Sequence, residues 1–341
     1  MKPAPYRRIV IDSRIPGLEA RLKAFPGVEV KAMEGKDITA SDVREADCLF
    51  VRTRTRCDSS LLGGSGVRLV GTATIGTDHI DIPWCESHGI RVVSAPGCNA
   101  PAVMQYVASS LSLAGFDPRR HTLGVVGKGH IGSLVARLYR DAGAQVLVCD
   151  PPRRDAGHAD ENYLELGEVL RRSDAVTFHV PYTKEGPYPT HHLLYAGMKT
   201  FPDIIVNASR GGVVDSRVLL DATCRSRFII DTWEFEDNPH DWASETRRAL
   251  LGRAFIATPH IAGYSIEGKR RATEAMLAAF VGSAPEEKRD GMETLTFPYA
   301  LRQAAASFNP VPLSNTLKSD PSQFETLRAS HLRHEPPAKT N

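Results

Sequence analysis

Short runs rich in valine and isoleucine recur along this chain, each followed by a longer segment with helical spacing. That alternation is the pattern of βα units around a parallel sheet, and it predicts an α/β fold. The runs fall into two series. In the first, RIVID (8–12), VEVKA (28–32), DCLFVR (47–52), RLVGTA (68–73) and RVVSA (91–95) lie close together, as in a small five-stranded doubly wound sheet. A second series follows the apolar, helix-like stretch 99–114: TLGVVG (122–127), QVLVCD (145–150), AVTFHV (175–180), DIIVNAS (203–209), RFIID (227–231) and AFIATP (254–259). Six such strands suffice for a complete dinucleotide-binding sheet. A chain of 341 residues is too long for one ordinary core, so two packed cores are expected.

Downstream, the segment 266–282 is rich in Ala, Met, Leu and Phe and is expected to be helical, although Gly268 denies Ser265 a full capping box. From Pro285 onward prolines, serines, asparagines and charges interrupt the apolar runs; only PYALRQAAASF and QFETLRASHLR look helical. This tail reads as weakly structured or dependent on a partner.

Bulk composition excludes several classes. With 42% hydrophobic and 24% charged residues and a net charge of +2, the chain has no electrostatic footprint for nucleic acid. The six cysteines are scattered without metal-ligand spacing, so neither a metal site nor a disulfide framework is favoured. The amino-terminal run IVI is too short for a signal segment or a membrane span, so a cytoplasmic protein without membrane partners is expected.

Within the second series, Gly127-Lys128-Gly129-His130-Ile131-Gly132 sits between a strand and an amphipathic helix, and the next strand ends in Asp150. Glycine triplets arise by chance, but this context points to dinucleotide binding. Gly127 permits the tight turn, Gly129 lets backbone approach a pyrophosphate, and Gly132 lets helix pack on sheet, with helix N–H groups facing the phosphates. Asp150 would accept hydrogen bonds from the adenosine ribose hydroxyls and repel a 2′-phosphate, favouring NAD. Arg153 and Arg154 follow closely and leave NADP open.

Ligands of doubly wound sheets lie at the carboxyl ends of strands. Arg210 follows DIIVNAS, Glu236 follows FIIDTW after a short loop, and His260 follows FIATP. Oxidation of a secondary alcohol needs a hydride acceptor and a base for the hydroxyl proton, and an imidazole with an ordinary pKa of about 6.5 suits the second task. Glu236 would orient the imidazole, and Arg210 would hold a substrate carboxylate in its fixed fork. Together the three read as the machinery of a 2-hydroxy acid dehydrogenase.

FVRTRT, LVGTATIGTDHID, SAPGCNAPAVMQYVASSL, LVCDPPR, TFHVPYTKEGPY, NASRGGVVD, IIDTWEFE and TPHIAGYSIEGK span about residues 47–270. In these motifs the chain resembles the D-isomer-specific 2-hydroxyacid dehydrogenase family, and in APGCNA and HIAGY its branch acting on erythronate 4-phosphate. The resemblance implies a flavodoxin-like substrate-binding domain (1–96), a Rossmann NAD-binding domain (97–262), a helix returning to the substrate domain (263–285) and a short, divergent C-terminal segment (286–341), a remnant of a dimerisation domain. It assigns Arg210 and Glu236 to the active site and His260 as proton donor. Gly127, Gly129, His130, Ile131, Gly132, Asp150, Val180, Asp231 and Gly263 would contact NAD; Thr53, Thr74 and Tyr264 would contact a small phosphorylated hydroxy acid. Arg52, Arg54 and Arg56, if their stretch is extended, would share one side and offer the phosphate cations.

The chain departs from the family's pattern at several points. Val180 replaces a hydroxyl residue, Asp237 and Asn238 separate Glu236 from Pro239, and the connection SLAGFDPRRHT is short. The C-terminal segment is short as well, yet a homodimer through the cofactor domain is still expected. Two alternatives stay open: a dehydrogenase of 3-phosphoglycerate or hydroxypyruvate type, and a non-catalytic NADH-sensing protein on the same fold.

Overall fold

Every valine- and isoleucine-rich run forms a strand. In the computed structural model, which describes residues 5–234, 236, 244–282 and 298–338, the first series gives β1 (Arg8–Asp12), β2 (Glu29–Met33), β3 (Cys48–Val51), β4 (Leu69–Thr72) and β5 (Arg91–Val93). The second gives β6 (Thr122–Val126), β7 (Gln145–Cys149), β8 (Ala175–Phe178), β9 (Ile204–Asn207), β10 (Arg227–Ile230) and β11 (Ile256–Ala257). β11 covers only Ile256 and Ala257, two residues before Pro259. The chain divides into two units, Met1–Asn99 with Ile266–Thr296, and Ala100–Ser265 with Phe297–Asn341.

In the first unit all pairings are parallel in the order β2-β1-β3-β4-β5, the flavodoxin-like arrangement. Strand alternation divides its core. Ile9 and Ile11 face Leu18, Leu22 and the helix Ile266–Phe280, while Val10 joins Leu49, Val51 and Leu62 on the opposite face. Met276 and Phe280 are fully buried, each such side chain stabilising the unit by about 1.5–3 kcal/mol.

In the second unit the parallel order is β11-β10-β9-β8-β6-β7. The place beyond β7, where the common dinucleotide sheet carries its third strand, is reduced to one parallel bridge between Val148 and Tyr163. One face is covered by the helices Ala100–Leu113 and His130–Asp141, the other by Leu166–Arg172 and Glu245–Arg253.

The C-terminal tail corrects the sequence reading. Its described part is neither weakly structured nor without intramolecular support: the helices Leu301–Ala306, Val311–Ser319 and Phe324–Ser330 pack on the second unit. Ala304 joins the core on one face of the sheet, Leu317 and Phe324 the core on the other. Ser314 Oγ accepts the Ala257 N–H at 2.9 Å, capping the open edge of β11. The prolines misled because those at 312 and 321 stand in first helical turns, where a missing N–H costs nothing. Residues 286–297 of the segment, and the Asp237–Pro239 loop, lie outside the described residues. None of the six cysteines is in a disulfide, and all but half-buried Cys98 are buried.

His179, just beyond β8, keeps some surface but has its ring shut in: Nε2 pairs with Thr177 Oγ1 at 3.0 Å, and Nδ1 is buried without a partner. Burial pushes this imidazole down to about 3. An unfolded histidine titrates near 6.5, so between those values the unfolded chain binds a proton that the fold refuses. This contribution is complete above pH 6.5 and falls as pH drops toward 3, by about 1.4 kcal/mol per pH unit. Thermal melts from pH 7 to 5 are therefore expected to show a shallower loss of stability in His179→Leu than in the parent; parallel losses would remove His179 from the acid response.

Candidate active site

The sheet order makes β9, β10 and β11 neighbours, and parallel pairing brings their carboxyl ends to one edge. Arg210, Glu236 and His260 stand just past those ends. Gly211 lies so close to the next loop that a Cβ there would meet Trp233 C and O at 2.2 Å. Only glycine allows the Arg210 turn to rest on the backbone leading to Glu236. Arg210 itself donates from Nη1 to Ser209 O at 2.9 Å, while Asn207 Nδ2 donates to the Arg210 carbonyl at 2.9 Å.

Glu236 and His260 are joined. His260 Nδ1 lies 2.6 Å from Glu236 Oε2, and the Trp233 N–H donates to Oε1 at 2.6 Å. The Glu236 side chain is 13% exposed and that of His260 29%, so the carboxylate is shut in while the imidazole reaches out. A carboxylate at Nδ1 selects the tautomer with the proton there, leaving Nε2 as the nitrogen able to exchange a proton with a substrate. Burial works to raise the Glu236 pKa; the charge and hydrogen bond of His260 and the Trp233 N–H outweigh it, holding the carboxyl below its ordinary range. The pair suits a proton carrier held in register by an anion.

His260 adopts a left-handed backbone, φ 55°, which costs a non-glycine residue about 1–2 kcal/mol. Asp231 holds the loop in that shape. Fully buried at the end of β10, its Oδ1 accepts from Thr258 Oγ1 at 2.6 Å and Ile261 N at 2.9 Å, and Oδ2 from Ala262 N at 2.8 Å. Its carbonyl takes the His260 N–H at 2.8 Å. Strand-terminal aspartates commonly form turns, and beside the cofactor contact expected of Asp231 the structure shows it anchoring this loop. Gly263 lies in the turn closed by Tyr264 N–H to Ile261 O at 2.9 Å.

Sequence reasoning missed two cations from the tail. Arg328 Nε donates to the Tyr264 hydroxyl at 3.1 Å, and its charge acts on Glu236. Arg333 reaches the carbonyls of the His260 loop. No local motif marks either residue, because each matters only through the packing of the tail.

The glycine turn fits a dinucleotide. Gly127 takes φ 89°, and an added Cβ would meet His179 O at 2.5 Å and the Val180 side chain at 2.7 Å. At Gly132 a Cβ would stand 1.9 Å from Gly127 O, so helix and turn touch through backbone. At Gly129, the N-cap, a Cβ would meet nothing within 4 Å, and no side chain caps the helix that His130 and Ile131 begin. That open cradle at a twelve-residue helix N-terminus is suited to a pyrophosphate. Asp150 Oδ2 accepts from Lys128 N at 2.6 Å and Oδ1 from Arg153 N at 3.1 Å, placing its carboxylate beside the turn. Arg153 donates to Tyr163 Oη at 3.0 Å, and Arg154 pairs with Asp155 at 2.8 Å and with Glu165. Both cations are thus engaged with neighbouring side chains.

In the first unit, Thr53 is exposed in the turn after β3, and Thr74 follows β4 with its hydroxyl donating to Gly76 O at 3.0 Å. The 51–56 stretch is not extended as its alternation suggested, because β3 ends at Val51 and a turn follows. Arg52 instead binds buried Asp12, Nε to Oδ2 at 2.9 Å, and Thr55 donates to Gly35 O at 2.7 Å. Arg54 and Arg56 line a polar cleft of about 280 Å³ with Lys36, Thr39 and Ser60.

Residues 102–262 match the family model described as D-isomer specific 2-hydroxyacid dehydrogenase, NAD binding domain. The chain is 38% identical to erythronate-4-phosphate dehydrogenase of Bacteroides thetaiotaomicron, covering 96% of this chain and 97% of that protein. Against the enzyme of the same name from Edwardsiella ictaluri, identity is 44% over 80% of this chain and 73% of the relative. Among solved structures, a D-lactate dehydrogenase from Aquifex aeolicus complexed with NAD and lactic acid shares the fold, with TM-score 0.61 and 24% identity over 81% of this chain and 96% of that one.

A matched pair of substitutions tests the cradle. Gly129→Ala is expected to keep the parent melting temperature while raising the Kd for NADH at least tenfold, a loss of about 1.4 kcal/mol. Gly132→Ala is expected to lower the melting temperature itself. NADH titration by fluorescence and a thermal melt of each variant separate the two; unchanged NADH affinity in Gly129→Ala would show that the space beside Gly129 is not the phosphate cradle.

Proposed function

The chain belongs to the D-isomer-specific 2-hydroxyacid dehydrogenase family and is an NAD-dependent oxidoreductase acting on a CH–OH group; from that premise we propose that it oxidises 4-phospho-D-erythronate to 2-oxo-3-hydroxy-4-phosphobutanoate, with His260 as the acid–base residue. The 2.6 Å contact of His260 Nδ1 with Glu236 carries the proposal. Support for the substrate comes from the similarity to enzymes named erythronate-4-phosphate dehydrogenase over nearly the whole chain.

When bound, NAD supplies the hydride acceptor. The protein's own groups do the rest. Arg210 fixes the substrate carboxylate beside the reacting carbon. As the C2 hydride leaves, His260 Nε2 takes the hydroxyl proton, and Glu236 stabilises the imidazolium that forms. In the reverse direction the same imidazolium returns its proton to the carbonyl oxygen. The adenosine end of NAD would rest on the glycine turn and Asp150, with Val180, Asp231 and Gly263 beside the rest of the cofactor. Thr53, Thr74 and Tyr264 would contact the substrate, and the Tyr264–Arg328 pair offers an anion both a hydroxyl and a cation. In this reading the enzyme is a cytoplasmic homodimer serving pyridoxal 5′-phosphate biosynthesis.

Steady-state assays with NAD should give a kcat/KM for 4-phosphoerythronate well above that for 3-phosphoglycerate; the opposite order would reassign the substrate. His260→Ala is expected to lower kcat by about 10²–10⁴-fold with NADH affinity retained. Near-parental turnover would take His260 out of the mechanism.

A further inference from the structure

The tail's last described stretch runs beside the loop that carries His260. Ser265 and Arg333 form a parallel bridge, and Ser265 Oγ donates to Glu335 Oε1 at 2.8 Å. Arg333 spends its guanidinium on carbonyls: Nη1 donates to Ile261 O at 2.8 Å and Tyr264 O at 3.2 Å, Nη2 to Ala262 O at 2.5 Å and Ala102 O at 2.9 Å. Nε donates to Gln105 Oε1 at 2.8 Å, and Phe308 stacks on the cation with its ring centre 4.3 Å away.

These contacts complement those of Asp231. At Ile261 and Ala262 the N–H groups point to the Asp231 carboxylate and the carbonyls to the Arg333 guanidinium. The two residues that follow His260 are thus held between a buried anion and a cation, donors toward one and acceptors toward the other. A loop so held has little freedom to relax the left-handed backbone at His260.

We propose that Arg333 is a positioning residue for catalysis: the C-terminal strap holds the acid–base loop in the geometry that directs His260 toward the substrate. Arginine is required because its planar fork reaches several carbonyls at once, whereas an ammonium is a single point donor without the stacking face. Burial lowers the pKa of Arg333 to about 10 against the pull of Asp231, so the strap stays cationic at neutral pH. The inference rests on the reading of His260 as proton carrier.

The test compares full-length Arg333→Met, Arg333→Lys and Lys318→Met. Lys318 also ties the tail to the second unit, donating to Ala254 O at 2.6 Å, but at the far end of β11 from His260. Arg333→Met is expected to lower kcat for 4-phosphoerythronate about 10- to 100-fold with the KM for NAD unchanged. Added guanidinium should restore part of the lost kcat, Arg333→Lys should fall between Met and parent, and Lys318→Met should keep parental kcat. Hydrogen exchange of the 258–264 peptide should accelerate in Arg333→Met while β8 stays protected. Parental kcat in Arg333→Met, or an equal loss in Lys318→Met, would overturn the proposal. Should His260→Ala prove active, the proton-carrier reading fails by itself, and exchange alone decides whether Arg333 holds the loop.

Discussion

The buried carboxylate of Asp231 is the constraint on which the site depends. It stands just past the carboxyl end of β10 and takes donors from Thr258, Ile261 and Ala262. Charge-assisted bonds of this kind are about twice as strong as neutral ones, and an ion shut away from water needs every one of them. A buried network extends from it: Tyr106 Oη lies 2.7 Å from Thr258 Oγ1, and Trp233 Nε1 donates to Thr258 O at 2.9 Å. Trp233 also presents its N–H to Glu236, so one network fixes both members of the proton-carrying pair.

That coupling explains how a histidine keeps a left-handed backbone. A strained residue persists only where its surroundings overdetermine it. The His260 N–H is held by Asp231 O, its ring by Glu236, and the residues after it by Asp231 on one side and Arg333 on the other. The strain aims Nδ1 inward at the carboxylate. Released to the ordinary α or β region, the side chain would leave along a different direction, and the pair with Glu236 would break.

Much of this was legible in the residues. Parallel strands announce themselves as continuous apolar runs, so their number and order along the chain could be read directly. The glycine turn could be read because steric need is local: nothing but glycine survives 1.9 Å from a carbonyl oxygen at position 132. Glu236 and His260 could be placed at strand ends by topology alone, since adjacent parallel strands deliver their ends to one edge. The tail failed for the opposite reason. Its helices are short and interrupted by prolines, and their apolar positions, Ala304, Leu317 and Phe324, acquire meaning only against the sheet they cover. Long-range partners leave no periodicity. Arg333 in sequence is one arginine among 42 basic residues, and its carbonyl partners carry no side-chain signature at all.

Why the second unit recruits its own tail follows from the weakness of β11. Two residues long and at the sheet's edge, this strand has little ladder of its own, yet it must deliver Thr258 and His260 to the site. Ser314 occupies its open N–H, and Lys318 takes the carbonyls of Ala254 and Phe255 just before it. Arg333 then takes the carbonyls of the loop that leaves it. The same segment therefore secures the strand before, along and after its length, doing for the edge what a further strand does elsewhere in the sheet. Covering an edge with side-chain donors and acceptors leaves the loop beyond free to follow Asp231 instead of the pleat. An added strand would have continued the pleat past Thr258 and straightened the turn on which His260 depends.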